Sequence, residues 1–243
     1  MYCYSRSSSL FLLSFIILLH NVIAADPLYN ICSISGNYTA GDTFSSNLDQ
    51  LMFILATKGP PTGFALGTVG VSLNRVNGLA LCRGDVKASS CGTCIRNAGT
   101  EIRELCPLKK SSIIWFDNCL LRYSSLEFFG EIDNSNKFYM WNVQNVSDAV
   151  AFNDKVTGLL SKLAKEAYVA PSLFATGEKA IGELGKLYGL VQCTRDLSGG
   201  DCKKCLDTAI SELPSCCDGK RGGRVVGGVA TLDMSYTLSM MFN

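Results

Sequence analysis

Apolar residues follow two different periods along the chain, and the same order of patterns occurs twice. Between residues 44 and 55 they recur every three or four positions, which predicts a helix with Thr43 as its cap and Gly59-Pro60-Pro61 as its end. Residues 73–82 alternate and predict a strand, in which Gly78 indicates a bulge or a close approach of the backbone. The apolar positions of the helix are Phe44, Leu48, Leu51, Met52 and Leu55.

A second helix and a hairpin follow in the first half. Ser89 or Ser90 is the expected cap of this helix and Pro107 ends it, with a buried stripe of Cys94, Ile95, Ala98, Ile102 and Leu105. Residues 112–116 and 119–123 predict two strands joined at Asp117-Asn118.

The second half repeats this order. Residues 152–163 match the first helix, and residues 186–193 match the strand, with Gly189 in the place of Gly78. Asp201 is the expected cap of the second helix, which ends before Pro214. We therefore predict an α+β protein of two tandem domains, residues 26–130 and 137–243, each an antiparallel sheet with two packed helices. The short polar connection between them predicts a fixed tandem.

The cysteines repeat with the patterns. Cys82, Cys91 and Cys94 are spaced by eight and then two residues, and Cys193, Cys202 and Cys205 have the same spacing 111 residues later. A three-cysteine spacing that recurs within similar flanks predicts duplicated, disulfide-stapled domains.

Residues 1–25 have the composition of a secretory signal peptide, with Arg6 before an apolar core and small residues at 24 and 25. The run is too short for a membrane span and is broken by His20 and Asn21. We therefore expect a secreted, extracellular protein without a membrane span. Secretion favours disulfides for the eleven cysteines after Cys3, and Asn37 and Asn145 lie in glycosylation sequons.

Composition argues against several functions. Twenty-two basic and 21 acidic residues give no field that would attract nucleic acid. The only histidine is His20, in the signal peptide, so the mature chain has no catalytic triad or histidine metal ligand, and we expect no enzyme activity, cofactor or metal. Zinc binding by Cys91-x2-Cys94 with Cys202-x2-Cys205 is disfavoured by secretion.

Further stretches carry a family resemblance. They are Asp-Pro-Leu-Tyr-Asn-Ile-Cys at 26–32, Phe-Tyr-Met-Trp-Asn-Val-Gln-Asn-Val-Ser at 138–147, and Cys-Cys-Asp-Gly-Lys-Arg-Gly-Gly-Arg-Val at 216–225. With the cysteine spacing, they resemble the plant cysteine-rich repeat secretory proteins, which carry two domains similar to the antifungal protein ginkbilobin-2. The resemblance implies a two-domain extracellular protein of defence or signalling in the apoplast.

The resemblance also implies the disulfides. Its pattern pairs Cys32 with Cys106, Cys82 with Cys91, and Cys94 with Cys119 in the first domain, and Cys193 with Cys202 in the second. In the second domain Ala230 holds the position of the hairpin cysteine, so the pairing of Cys205, Cys216 and Cys217 stays open.

The sequence departs from the family after Gly228. Codon degeneracy allows residues 229–243 to be encoded by a nucleotide sequence that, when it is translated from one base earlier, gives Ser-Cys-Asn-Leu-Arg-Tyr-Glu-Leu-Tyr-Pro-Phe-Tyr. We hypothesise that these fifteen residues are out of frame, in which case the restored strand would carry the missing cysteine and a longer chain could follow.

The resemblance implies a candidate site for a mannose-type glycan. Asn142 and Arg224 match two of the family's binding positions, whereas the third, a glutamate, is Ser235 here. In the first domain the three positions are Ser33, Ile113 and Ser124, so that site is lost; Arg224 could equally be a surface residue of a glycine-rich turn. We expect a non-enzymatic binding protein, antifungal or carbohydrate-binding, with a glycan or an extracellular protein as partner. The alternative is the truncated ectodomain of a cysteine-rich receptor-like kinase.

Overall fold

The computed structural model describes residues 26–34, 36–182 and 185–238, so the predicted signal peptide lies outside the described residues. Two five-stranded antiparallel sheets follow one another along the chain, with strand orders β1-β4-β5-β3-β2 and β6-β9-β10-β8-β7. The helices are α1 (Thr43–Thr62), α2 (Ala88–Leu105), α3 (Ala149–Ala167) and α4 (Gly199–Cys217). The strands are β1 (Tyr29–Cys32), β2 (Phe64–Val69), β3 (Val76–Cys82), β4 (Ser111–Trp115), β5 (Cys119–Ser124), β6 (Lys137–Trp141), β7 (Phe174–Ile181), β8 (Gly185–Cys193), β9 (Gly222–Gly227) and β10 (Ala230–Leu238).

The first helix differs from its prediction at both ends. Its cap is Asp42, whose carboxylate accepts from the Ser45 amide at 2.8 Å. The helix runs through Pro60 and Pro61, because both lie in its last turns and remove only two amide donors. Gly63, at φ 77°, ends it by donating its amide to the Gly59 carbonyl.

The other predicted caps were also wrong. Lys87 precedes α2 without a side-chain cap, so Ser89 and Ser90 lie inside the first turn. Ser198, three residues before Asp201, caps α4, and its hydroxyl accepts from the Asp201 amide at 3.1 Å. The helix α4 continues past Pro214 to Cys217. These errors are shifts of a few residues within correctly predicted helices.

The sheets are larger than the pattern predicted. The sequence indicated a strand and a hairpin in each half, whereas β1 and β2, and their counterparts β6 and β7, complete each sheet at its two edges. The strand predicted over residues 73–82 begins at Val76 after a short 3₁₀ turn. Gly78 is a close approach and not a bulge, because a Cβ there would lie 2.7 Å from the Leu51 side chain.

Each sheet has two different faces. In both halves the helices cover one face and bury a core of aliphatic side chains between helix and sheet. A third apolar cluster lies between the halves and joins Leu79, Leu81, Ile113, Trp115, Leu120 and Phe128 to Val226 of the second sheet. The two halves are therefore packed against each other through an apolar interface.

Candidate functional site

The first half carries three disulfides. Cys32 is joined to Cys106, Cys82 to Cys91 and Cys94 to Cys119, with Cα atoms 5.3 to 6.0 Å apart. These bonds tie β1 to the end of α2, β3 to the start of α2, and α2 to β5. The family pattern gave the same pairs.

The second half is stapled differently. Cys193 is joined to Cys202, while Cys205 is a buried free thiol. Ala230 is registered opposite Cys193 between β10 and β8, as Cys119 is registered opposite Cys82 between β5 and β3. Ala230 therefore holds the position of the cysteine that would bond to Cys205.

The last two cysteines lie at the end of α4, where Cys216 is joined to its neighbour Cys217. Cys217 lies beside β6, with its sulfur 3.8 Å from the Met140 carbonyl oxygen. Its counterpart in the first half, Cys106, is bonded to Cys32 of β1. The residue of β6 that matches Cys32 in register is Trp141, so β6 has no cysteine at the position from which it could bond to Cys217.

Polar contacts fix the two halves in one arrangement. The Trp115 indole donates to the Gly227 carbonyl at 3.1 Å. The buried side-chain amide of Gln192 donates through its nitrogen to the Cys82 backbone carbonyl at 3.0 Å. Its oxygen accepts from the Gly84 backbone N–H at 3.3 Å. A Cβ on Gly84 would lie 2.4 Å from the Phe174 ring, so that only glycine permits this approach.

The two candidate glycan residues lie on the same face of the second sheet, the face away from the helices. We call this the outer face. One row across it is Thr176, Leu190, Asp233, Arg224 and Met140, which are successive partners in register. The next row is Glu178, Tyr188, Ser235 and Gly222, followed by Asn142, whose backbone N–H donates to the Gly222 carbonyl at 2.8 Å.

The Arg224 guanidinium is held by two carboxylates. It lies 2.6 Å from Asp117 of the first half and 2.8 Å from Asp233 of its own sheet. Burial lowers the pKa of Arg224, but the hydrogen bonds and charges of both carboxylates outweigh it and raise the pKa above its ordinary value. Burial raises the pKa of Asp233. Arg224 is thus a link between the halves as well as a group on the outer face.

The outer face borders an open cleft of ≈ 520 Å³, which falls within the range of small-molecule sites. Its floor includes Tyr188, Glu178 and Asp233 from the second sheet, and its wall is formed by Arg83 and Asp85 from the first half. Tyr188 is 39% exposed. Sequence reasoning missed this residue, although its place between inward-facing Leu187 and Gly189 marks it as an outward aromatic side chain.

The corresponding surface of the first half differs. Ser33, Ile113 and Ser124 line a cavity of ≈ 340 Å³, and none of the three carries the amide, guanidinium or carboxylate that the family site has at its position. Arg122 and Asn136, which also line this cavity, lie at other positions. Asn77 holds the position equivalent to Tyr188 and is buried. The two sheets therefore present different chemistry at equivalent positions.

The remaining candidate residues are on the surface. Asn37 and Asn145 are exposed, and each forms an isolated bridge, to Lys109 and to Lys220. Within residues 26–34, 36–182 and 185–238, no three acidic, cysteine or histidine side chains are grouped to hold a metal ion. Among the same residues no helix is long and apolar enough to cross a bilayer.

Comparison with known families gives a match over both halves. The family model described as salt stress response/antifungal matches residues 31–126 and again residues 140–235. The chain is 58% identical over 225 residues to an antimicrobial ginkbilobin-2-like protein of Castanea crenata, covering 91% of this chain and 93% of that protein. It is 51% identical over 220 residues to cysteine-rich repeat secretory protein 38 of Arabidopsis thaliana, covering 88% and 87%.

Solved structures show the same fold. The tandem DUF26 ectodomain of the cysteine-rich receptor-like protein PDLP8 from Arabidopsis thaliana superposes with a TM-score of 0.77 at 26% identity. The match covers 89% of this chain and all of that chain. The corresponding ectodomain of PDLP5 gives a TM-score of 0.71 at 27% identity, covering 86% and 99%.

Proposed function

The chain belongs to the salt stress response/antifungal family, and from this premise we propose that it is a non-enzymatic carbohydrate-binding protein of plant defence, secreted to the apoplast. In this proposal residues 1–25 are removed, residues 26–130 and 137–243 form the two domains, and Asn37 and Asn145 carry glycans. The antimicrobial and secretory names of its relatives support defence and secretion.

The observation that carries the proposal is the shared outer face of Asn142, Arg224 and Ser235. An amide, a guanidinium and a hydroxyl together supply the donors and acceptors that adjacent sugar hydroxyls require. Because Asp117 and Asp233 fix the Arg224 guanidinium, its orientation is set before a ligand arrives. Preorganised polar groups bind with a smaller loss of conformational entropy.

The absence of histidine after residue 20 supports a function without catalysis. Asp117 and Asp233 both form ion pairs with the candidate residue Arg224. A carboxylate engaged in an ion pair is a poor general base or nucleophile for an acid–base reaction. The arrangement therefore favours binding over turnover.

A glycan array tests the proposal. The oxidised, secreted protein is compared with Arg224→Ala and with Arg75→Ala, an exposed arginine outside the outer face. We expect binding to at least one glycan, lost in Arg224→Ala and retained in Arg75→Ala. An array on which the wild-type protein binds nothing would reject carbohydrate binding and favour an extracellular protein partner.

A second candidate function is that of a receptor ectodomain. The tandem ectodomain of the receptor-like protein PDLP8 matches over its whole length, which supports this alternative. Sequencing the transcript across the Gly228 codon discriminates between the two. A shifted frame that continues into a membrane span and a kinase would favour the receptor, whereas peptides from residues 229–243 in the secreted protein would reject the frame shift.

A further inference from the structure

We propose that the cleft between the halves is a subsite for a neutral, hydroxyl-rich oligosaccharide, with Tyr188 as its platform and Arg83 and Asp85 as its wall. The inference rests on the proposed function and adds to it a location, a charge preference and a need for both domains. None of these three residues belongs to the candidate set of Asn142 and Arg224.

The floor of the cleft is a flat array on three adjacent strands. Tyr188 is flanked in register by Glu178 of β7 and Ser235 of β10, all outward and exposed. An exposed aromatic ring beside a hydroxyl and a carboxylate offers one apolar surface and several hydrogen-bond partners. A sugar ring has the same combination, with C–H groups on its faces and hydroxyls around its edge.

The wall comes from the loop after β3 in the first half. Arg83 lies 2.7 Å from Asp85 and also donates to the Asp117 carbonyl at 3.2 Å. Between these two residues, Gly84 is held against Phe174 and Gln192 of the second half. The wall is therefore fixed relative to the floor before a ligand binds, and it exists only when the two domains are packed together.

Each charge in the cleft has an opposite charge beside it. Arg83 pairs with Asp85, Glu178 lies 2.8 Å from Lys186, and Asp233 lies 2.8 Å from Arg224. A charged ligand would be attracted by one partner of each pair and repelled by the other, so the pairs give it little net attraction. A neutral polyol can instead donate to the carboxylates and accept from the cations without separating them. The charge arrangement thus selects a neutral ligand.

The first sheet provides an internal comparison. Asn77 and Leu79 stand at the positions of Tyr188 and Leu190, and both are buried. Phe128, from the segment after β5, joins Leu79 in the apolar cluster between the halves. Because the first sheet buries both positions, the exposed aromatic side chain beside an open cleft belongs to the second sheet of the described chain.

Calorimetric titration of the full secreted protein, with its disulfides intact, tests the inference. The neutral probes are mannohexaose, cellohexaose and xylohexaose; the charged probes are hexagalacturonate and the chitosan hexamer. We expect a neutral probe to bind more tightly than either charged one. Tyr188→Ala should weaken that binding about three- to tenfold, as expected for one lost aromatic face, whereas Tyr188→Phe should stay within about twofold.

Two further variants separate the cleft from its surroundings. Arg83→Ala should weaken binding of the neutral probe, while Arg96→Ala, an exposed arginine on α2, should not. Thr176→Trp fills the cleft from an exposed position and should abolish binding even if Tyr188→Ala fails to fold. A thermal melt of each variant confirms folding.

The outcomes distinguish this inference from the function on which it rests. A glycan that binds the wild type and all cleft variants equally overturns the cleft subsite but leaves carbohydrate binding intact. Tighter binding of hexagalacturonate or of the chitosan hexamer overturns the neutral ligand. If neither the array nor the hexamers bind, the proposed function fails and the inference fails with it.

Discussion

Ala230 and Cys205 line the same small cavity between α4 and β10. Cys94 and Cys119, the equivalent residues of the first half, are bonded at a sequence separation of 25, which is also the separation of Cys205 and Ala230. Burial raises the pKa of the Cys205 thiol, which keeps it protonated and unreactive. A position built for a disulfide thus holds a methyl group and a thiol.

Ala230→Cys should restore this disulfide. We expect the alkylated free-thiol count to fall by one relative to the wild type and the free energy of unfolding to rise by about 3 kcal/mol, as for a loop of this length. Mass spectrometry after alkylation and urea unfolding measure the two effects. Ala230→Ser, which is similar in size but cannot bond, is the control. Alkylation of Cys205 in Ala230→Cys would show that the two positions do not meet.

Removal of the Asp133 charge should destabilise the protein. Asp133 lies 2.9 Å from Arg122, with both side chains largely buried, and the Arg122 guanidinium lies 4.2 Å from the centre of the Phe128 ring. Asp133→Asn leaves a buried cation without its partner, at a cost of about 3 kcal/mol.

Asp207→Asn is the matched control for Asp133→Asn. Asp207 pairs with Lys203 on the surface of α4, where an ion pair contributes no more than about 0.5 kcal/mol. Urea unfolding at neutral pH measures both variants. Equal stabilities of the two variants would refute a structural role for the buried pair.

The Asp133 carboxylate should also make the free energy of unfolding depend on pH. Burial raises the pKa of Asp133, but hydrogen bonds from Asn136 and Ser135 and the charge of Arg122 outweigh burial and hold the pKa below 3.8. Its contribution is therefore present above pH 3.8 and is lost as the pH falls through the folded-state pKa.

Difference unfolding curves between wild type and Asp133→Asn isolate this contribution from other acids. The contribution of Asp233 to the pH dependence of stability has the opposite sign. Burial raises the pKa of Asp233, so its ionisation above pH 3.8 lowers the free energy of unfolding. The difference curve should shrink below pH 3.8. A difference that stays constant into acid would contradict the lowered pKa of Asp133.

Gly84→Ala should weaken the contact between the domains. The added methyl would lie 2.4 Å from the Phe174 ring, so the loop or the ring must move, at a cost of about 1–3 kcal/mol. Gly158→Ala on α3 is the control, since the nearest atom to its Cβ is the Lys179 amine at 3.9 Å.

Calorimetry distinguishes these glycine variants. We expect Gly84→Ala to melt at a lower temperature with a broader transition, because the two domains lose part of their coupling. Gly158→Ala should be unchanged or more stable by up to about 1 kcal/mol, since alanine favours a helix. An unchanged melt of Gly84→Ala would show that the Phe174 contact does not couple the domains.

The sequence determined the class of fold, the duplication and the missing cysteine. Helical and alternating patterns are local, and the disulfide pairing that the family resemblance implies, counted along the second repeat, places Ala230 opposite Cys205. It could not supply the edge strands β1, β2, β6 and β7, because an edge strand is defined by its neighbour as much as by its own residues. The helix ends at Pro60 and Pro214 were misjudged because packing outweighed a local preference.

The tertiary structure alone decided which surfaces meet. Asp117 and Arg224 are 107 residues apart, and nothing local links the loop at Arg83 to Tyr188. Two domains can share the same pattern of inward-facing residues and still differ in their outward-facing residues. The alternation along a strand determines which side chains face outward, but the surface that packs against them determines which residue types fit there. The cleft therefore follows from how the two sheets pack together.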